Sequence, residues 1–396
     1  MRKLLVLTSL VALIASASFA AAQTYVLAVD ENPSGNSATA FTLNTTTGVT
    51  TPVKKLSTGG LGLGGGFFAA STVTVTSNNQ CIFIADTGSD DIAAFAAPTY
   101  AKVGNFSNGS LNWSASGAGG SLTLSPDGKW LYGAYSGSEN IGAWAVGSGC
   151  KLTFVNAYTP STGADLFATL HVTPDGKALI VPSIDFGIVT MYAINSTTGA
   201  LTEVTNANFF SSVADCSNTG CYPYGFDISG DSKVAFFGNP TTFNNGLYAL
   251  GLAINTTTGT LTNPQLFTLT AKSGVGNSTY PWFPKVSYAH GSGPLVIGMS
   301  GYNNPVESSG VVIAQVTETP TLKVLTSSLF ATPDSNCGGC TGTLETTGTL
   351  AVSAQFPNLI NVYKINQTTG AFTLLKSNTD ANAVGLLSLH VVPQTR

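Results

Sequence analysis

The chain has 396 residues, of which only 9% are charged, and a formal net charge of −4. No basic patch is present to hold a phosphate backbone, which argues against nucleic acid as a partner. Abundant Gly, Ser, Thr and Asn suit short strands joined by tight turns and leave little for helices.

At the N-terminus, Met1-Arg2-Lys3 precede an apolar run from Leu4 to Ile14 and small residues up to Ala22. A basic start, a short apolar core and an A-x-A-like end predict a secretory signal over 1–22, cleaved after Ala20 or Ala22. That leaves a single domain over 23–396, exported to the periplasm or beyond the cell. The apolar run is too short to span a bilayer, and no later stretch is long enough. Loss of Arg2 and Lys3 leaves 13 basic residues against 19 acids, a charge of −6, and Arg396 as the sole arginine. Arginine's planar fork is what clamps phosphate and carboxylate through two bonds. A phosphorylated or multiply anionic substrate is therefore disfavoured.

From Thr24 onward the sequence repeats about every 48–58 residues, the period of propeller blades. One landmark is a tight turn between apolar strands: Leu124 to Lys129, Val172 to Lys177 and Ile228 to Lys233, with a weaker copy at Val75 to Gln80. Pro, Asp and Gly supply the fixed φ, the side-chain acceptor and the positive φ such a turn needs. A second landmark, Asn-x-Thr-Thr-Gly, recurs at Asn44 to Gly48, Asn195 to Gly199, Asn255 to Gly259 and Asn366 to Gly370. These segments match N-glycosylation sequons, but a repeated hairpin turn explains them without sugar.

Each unit reads as four antiparallel strands, A to D. Six units fall near 67–112, 117–160, 166–210, 222–270, 281–330 and 341–380. The stretch from Thr24 to Lys55 supplies strands B to D but no A. Ser388 to Pro393 resembles Thr169 to Pro174 and provides the missing strand. The expected fold is thus all-β: a seven-bladed propeller whose two chain ends share one blade and hide each other's edges. A monomer is expected.

The run Gly59 to Gly66 formally contains G-x-G-x-x-G, but a strand follows it rather than a helix, so it reads as an inter-blade connection. No G-x-S-x-G nucleophile elbow is present. Six cysteines suit an exported protein. Cys216 with Cys221 and Cys337 with Cys340 read as local disulfides, leaving Cys81 with Cys150 as a third. The C-x-x-C at Cys337 lacks the further ligands of a zinc site, so neither metal nor cofactor is expected.

In a propeller the A–B and C–D turns share one face, here nearly uniform, while B–C and D–A connections share the other, here irregular. Loops that break a repeat on a rigid scaffold are where binding resides. Strand A lines the channel, and between its apolar positions lies a polar slot holding Thr74, Thr123, His171, Asp227 and His390. Superposing Pro223 on Pro281 puts Lys285 in the same slot, with Thr343 as the seventh member. A catalytic reading makes His171 or His390 a base and Lys285 the group that polarises an oxyanion. The alternative is a ring of hydrogen-bonded polar residues joining blades. Asp86, Glu139 and Asp185 are B–C loop acids that could join such chemistry. Tyr135, Trp282 and Tyr302 could stack on a sugar-like ring or cap blades.

The Pro-Asp-Gly-Lys turn, followed by Tyr-x-Ile-Asn-x-Thr-Thr-Gly as at Tyr192 to Gly199, resembles the seven-bladed propeller lactonase family. That family includes 6-phosphogluconolactonase-like and carboxymuconate cyclase-like propellers. The resemblance spans nearly the whole mature chain and implies hydrolysis of a small lactone. Its motifs specify blades rather than chemistry. The family's Pro-Arg-His-like segment entering strand A is replaced here by Phe167-Ala168-Thr169 and Gly119-Gly120-Ser121, and Pro223-Tyr224-Gly225 keeps only the proline. A neutral lactone fits better than a phosphosugar. A non-catalytic propeller binding a glycan, an envelope component or a partner protein is the other reading.

Overall fold

The structure, a computed structural model, describes residues 24–64, 72–113, 120–161, 169–183, 187–207, 225–238, 248–268, 285–288, 294–299, 310–316, 322–329, 341–347, 349–355, 358–366, 372–386 and 388–392. The proposed signal segment, Asp185, Trp282, Tyr302, Cys216, Cys221, Cys337 and Cys340 lie outside them.

Seven four-stranded antiparallel sheets make up these residues. Blade 1 holds β1 (Thr24–Val29), β2 (Ser37–Leu43) and β3 (Thr50–Ser57). Blade 2 holds β4 (Val73–Val75), β5 (Cys81–Asp86), β6 (Asp91–Ala96) and β7 (Ala101–Phe106). Blade 3 holds β8 (Ser121–Leu124), β9 (Trp130–Tyr135), β10 (Asn140–Val146) and β11 (Leu152–Tyr158). Blade 4 holds β12 (His171–Val172), β13 (Ala178–Ser183), β14 (Ile188–Ile194) and β15 (Leu201–Ala207). Blade 5 holds β16 (Phe226–Ile228), β17 (Val234–Gly238), β18 (Tyr248–Asn255) and β19 (Thr260–Thr268). Blade 6 holds β20 (Lys285–Tyr288), β21 (Pro294–Met299), β22 (Gly310–Val316) and β23 (Leu322–Leu329). Blade 7 holds β24 (Thr341–Thr347), β25 (Leu350–Gln355), β26 (Leu359–Ile365) and β27 (Phe372–Thr379). The last strand, β28 (Ser388–Val392), returns to blade 1 and pairs antiparallel with β1, from Tyr25 opposite Val392 to Val29 opposite Ser388.

The repeated turns work as their residues dictate. Ser125 Oγ donates to Asp127 Oδ1 at 2.6 Å and accepts from the Trp130 amide at 3.0 Å, while Gly128 takes a φ of +69°. Thr173 and Asp175 repeat these bonds, as do Ser229 and Asp231, where Ser232 holds the left-handed position at φ 62°. In the C–D turns, Asn44, Asn195 and Asn255 each accept two backbone amides on Oδ1. The glycine closing that turn serves twice. Gly199 needs its φ of +71°, and a Cβ there would fall 2.3 Å from the Trp130 ring of the preceding blade.

Blades pack face to face. On one side of blade 1, Val26, Ala28, Leu389 and Val391 meet Leu350, Val352 and Val362 of blade 7. On its other side, Leu27, Val29 and Ala38 meet Val73, Ile82 and Ile84 of blade 2. Between blades 2 and 3 the packing is supplemented by the Cys81–Cys150 disulfide, which spans 69 residues of chain. A loop of that length is worth about 4 kcal/mol in the chain-entropy account of crosslinks. Among the described residues, no helix is long and apolar enough to cross a membrane.

β28 buries Leu389, Val391 and Val392. At about 1.5–3 kcal/mol for each buried side chain, losing them removes an amount comparable to the whole stability of an ordinary domain, about 5–15 kcal/mol. A chain ending before Leu386 is therefore expected to lose cooperative thermal unfolding in circular dichroism. A truncated protein melting as sharply and as high as the intact one would rule out ring closure through β28.

Candidate functional site

Each blade carries one register shift between its third and fourth strands, and these shifts provide an internal ruler. They fall at Ala40, Ala94, Ala143, Met191, Gly251, Ile313 and Val362. Following the pairing inward from each reaches one residue on each innermost strand. Ala40 leads through Leu27 to His390, and Ala94 through Phe83 to Thr74. Ala143 leads through Tyr132 to Thr123, and Met191 through Ile180 to His171. Gly251 leads through Phe236 to Asp227, Ile313 through Val296 to Ser287, and Val362 through Val352 to Glu345. The inner ring is therefore His390, Thr74, Thr123, His171, Asp227, Ser287 and Glu345, in blade order.

Five of the seven residues expected from sequence stand where expected. Two do not. Lys285 pairs with Gly298, two residues before Ser287, so its position is one layer nearer the irregular face. Superposing the prolines misjudged the lead into that strand. Thr343 is displaced because β24 carries an extra residue between Thr341 and Leu344, which advances Glu345 into the slot.

In blades 3 and 4 the slot side chains lie on the face of their blade that meets the next one. Thr123 Oγ1 accepts from the Val172 amide of blade 4 at 3.4 Å. His171 is buried and packs edge-on against Phe226 of blade 5, ring centres 4.8 Å apart. One layer up, Ser388 Oγ accepts from the Thr72 amide at 3.0 Å. Ser388, Thr72, Ser121 and Thr169 occupy equivalent positions there, and all are buried. Glu345 is also buried, whereas Asp227 and His390 are half-exposed. His390 is thus the described slot histidine that solvent reaches, and β28, which carries it, touches β24, which carries Glu345.

A second polar assembly sits on the irregular face between blades 1 and 2. Asp86, at the end of β5, is fully buried. Asn36 Nδ2 donates to its Oδ1 at 2.9 Å and Asn105 Nδ2 to its Oδ2 at 3.2 Å. Asn105 also donates to Asp91, tying the two carboxyls together. Burial pushes the Asp86 carboxyl up to about 8, and the adjoining Asp91 carboxyl adds to the rise against the Thr58 and Asn36 hydrogen bonds. Glu31, at a left-handed φ of 50°, is fully buried as well. Thr87 Oγ1 donates to its Oε2 at 2.7 Å, while Oε1 has no hydrogen-bond partner. Burial raises this carboxyl too, more than Thr87 and the nearby Thr72 and Leu63 lower it. Among the described residues, no group of three or more His, Cys, Asp or Glu is placed to hold a metal ion.

The glycine-rich connection from blade 1 to blade 2 lies directly on these carboxyls. A Cβ on Gly60 would stand 2.4 Å from Asp86 Cγ, and one on Gly62 would stand 2.2 Å from the Glu31 carbonyl carbon. Close approach, rather than dinucleotide binding, accounts for the run over the residues described.

Other candidates resolve simply. Tyr135 is not a ligand platform: it is buried and stacked on Trp113, ring centres 3.7 Å apart, and burial raises its hydroxyl pKa. Glu139 is exposed at the tip of the β9–β10 loop. Asp86 is not the solvated loop acid its position suggested. Sequence reasoning passed over Glu345 and Glu31. Counting back from the Val362-Tyr363-Lys364-Ile365-Asn366 segment, which parallels Met191-Tyr192-Ala193-Ile194-Asn195, would have reached Glu345.

The family described as "Lactonase, 7-bladed beta-propeller" matches residues 97–214. Comparison with curated proteins finds no match. Among solved structures, a Bacteroides fragilis protein provisionally described as a 6-phosphogluconolactonase is 17% identical over 95% of this chain and 99% of its own, with a TM-score of 0.67. A Bacteroides uniformis protein with the same provisional description is 13% identical over 93% of this chain and 99% of its own, TM-score 0.69. The periplasmic gluconolactonase of Pseudomonas aeruginosa is 15% identical over 94% of this chain and 100% of its own, TM-score 0.64.

Replacing Gly62 by Ala should lower the urea midpoint by an amount equivalent to about 1–3 kcal/mol, the usual cost of forcing atoms into a packed site. An unchanged midpoint would show that the connection does not rest on Glu31. In fold along its length, and in sequence over residues 97–214, the chain resembles the seven-bladed propeller lactonases.

Proposed function

We propose that the protein is an exported lactonase-like propeller that hydrolyses a neutral or weakly charged small lactone at the channel mouth. The observation that carries this reading is the inner ring, where a half-exposed imidazole, His390, stands level with hydroxyl and carboxyl residues of the other innermost strands. In the proposed step His390 takes a proton from water as its oxygen attacks the lactone carbonyl carbon. The oxyanion forms, collapses and breaks the ring C–O bond, and the departing alkoxide takes the proton back from the imidazolium. The product is an open-chain hydroxy acid. Lys285, one layer nearer the irregular face, is the residue assigned to the oxyanion. His171, packed on Phe226, is assigned a structural part.

Three further observations support the reading. The fold is shared with a protein described as a periplasmic gluconolactonase. The mature chain keeps Arg396 as its sole arginine, which favours an uncharged ring over a phosphosugar. The disulfide between blades 2 and 3 suits an oxidising compartment.

A second reading rests on the bonds that the Val172 amide donates to Thr123 in the slot and the Thr72 amide to Ser388 one layer above it, by which inner-strand hydroxyls join blades. In that case the ring is structural and the irregular face binds a glycan, an envelope component or a partner protein.

Purified protein assayed on a panel of neutral sugar lactones and simple aliphatic lactones, with and without added metals, separates the two. Turnover is expected, with His390→Ala lowering kcat/KM by about 10²–10⁴, the range for a lost general base, and His171→Phe leaving most of it. No turnover across the panel would remove the catalytic reading. Glycan binding that disappears in Trp282→Ala would then favour the second.

A further inference from the structure

The buried carboxyls of blades 1 and 2 take no part in the proposed reaction, yet they lie under the segment that crosses from blade 1 toward blade 2. That segment, residues 58–64, is held by bonds to both neighbouring loops. The Asn36 amide donates to Gly60 O at 2.9 Å and the Gly62 amide to Asn32 O at 2.9 Å. The Gly64 amide donates to Glu31 O at 2.8 Å, and the Gly88 amide to Leu61 O at 2.8 Å. The Leu61 amide donates to Ser89 Oγ at 2.9 Å, and that hydroxyl donates onward to Asp91 Oδ2 at 3.1 Å.

Beneath Gly60 there is no room for a side chain and none for water between the backbone and Asp86. Asp86, fully buried under this backbone and tied through the Asn105 amide to the half-exposed Asp91, is costly to ionise in such a place. We propose that residues 58–64 form a pH-released latch on the irregular face between blades 1 and 2, closed while Asp86 is protonated and released when it ionises.

The charged groups around the latch agree with this assignment. Asp91 and Asp90 approach Asp86 from its own loop, and Asp90 is engaged by the Trp113 amide at 2.8 Å. Glu31 and Asp30 lie on the blade 1 side, with Asp30 held by the Val384 amide at 2.7 Å. Lys102 Nζ, on β7, reaches the Gly59 end, 2.6 Å from where a Cβ would stand. The pair therefore meets a cation at the end of the latch and further carboxyls at its centre.

The direction follows from linkage. In the closed state Asp86 holds its proton up to about pH 8, against 3.8 when free in water. Protection is complete below the lower value, is lost as pH rises toward the upper one, and levels off above it. Complete coupling predicts a loss of about tenfold per pH unit within that window.

Amide hydrogen exchange of the intact protein, corrected for the intrinsic effect of pH, tests this. Protection of Gly60, Gly62 and Gly64 is expected to fall at least about tenfold between pH 5 and 8, with β9 and β13 amides unchanged. Asp86→Asn should hold high protection at both pH values. Should that variant fail to fold, Asp91→Asn should move the loss to lower pH, because removing the neighbouring carboxylate takes away one of the influences that raise the Asp86 carboxyl. Protection independent of pH in the intact protein, or a profile in both variants identical to it, overturns the proposal. The readout needs no substrate, so it stands or falls apart from the lactonase reading.

Discussion

A radial four-stranded sheet has two apolar faces, and both must be covered. That constraint organises the molecule. Val26, Ala28, Leu389 and Val391 can leave water only against blade 7, while Leu27, Val29 and Ala38 can leave it only against blade 2. An open row of such blades would always expose two faces. Closing the row removes them, and pairing β28 with β1 makes the closing blade from the two ends of the chain. The innermost strand of blade 1 is thereby separated in sequence from its three partners by the other six blades. It also carries His390, so the ring and the candidate site are completed by one event.

The fold was legible because the turns state it in local chemistry. Ser-Pro-Asp-Gly-Lys can satisfy its own amides only as a tight hairpin, and the bonds around Asp127, Asp175 and Asp231 are the ones those residue types predict. Burial is the largest single influence on each of these carboxyls and raises it, but hydroxyl and amide donors and the adjacent lysine together outweigh it and hold all three low. The exposed ion pairs to Lys129, Lys177 and Lys233 follow from the same geometry. Screened pairs of this kind add little stability. They mark the turn rather than a site.

Register was less legible, for a physical reason. Turn motifs fix a strand only where the strand runs into them without interruption. β20 has no Pro-Asp-Gly turn after it, and β24 has an extra residue within it. Lys285 and Thr343 were therefore displaced from the slot, and Ser287 and Glu345 were passed over. The shift between third and fourth strands is the better ruler because all seven blades keep it. The buried state of Asp86 was not legible at all. It depends on a connection from another blade lying over it, and a loop acid looks the same in sequence whether or not something covers it.

The two polar assemblies differ in the way their charges are managed, and this separates their roles. On the innermost strands, Thr123 in the ring and Ser388 one layer above it accept hydrogen bonds from the next blade's backbone, so they stiffen the scaffold at no cost in charge. The Asp86 assembly instead keeps a fully buried acid under a glycine backbone and ties it through Asn105 to the half-exposed Asp91. Burial of that kind lowers stability whenever the acid is ionised, and a purely structural staple would be served better by Asn. What the acids add over amides is dependence on the proton. The hydroxyl bonds between inner strands are ones that pH leaves alone, while the segment crossing from blade 1 toward blade 2 is seated on a carboxyl that titrates.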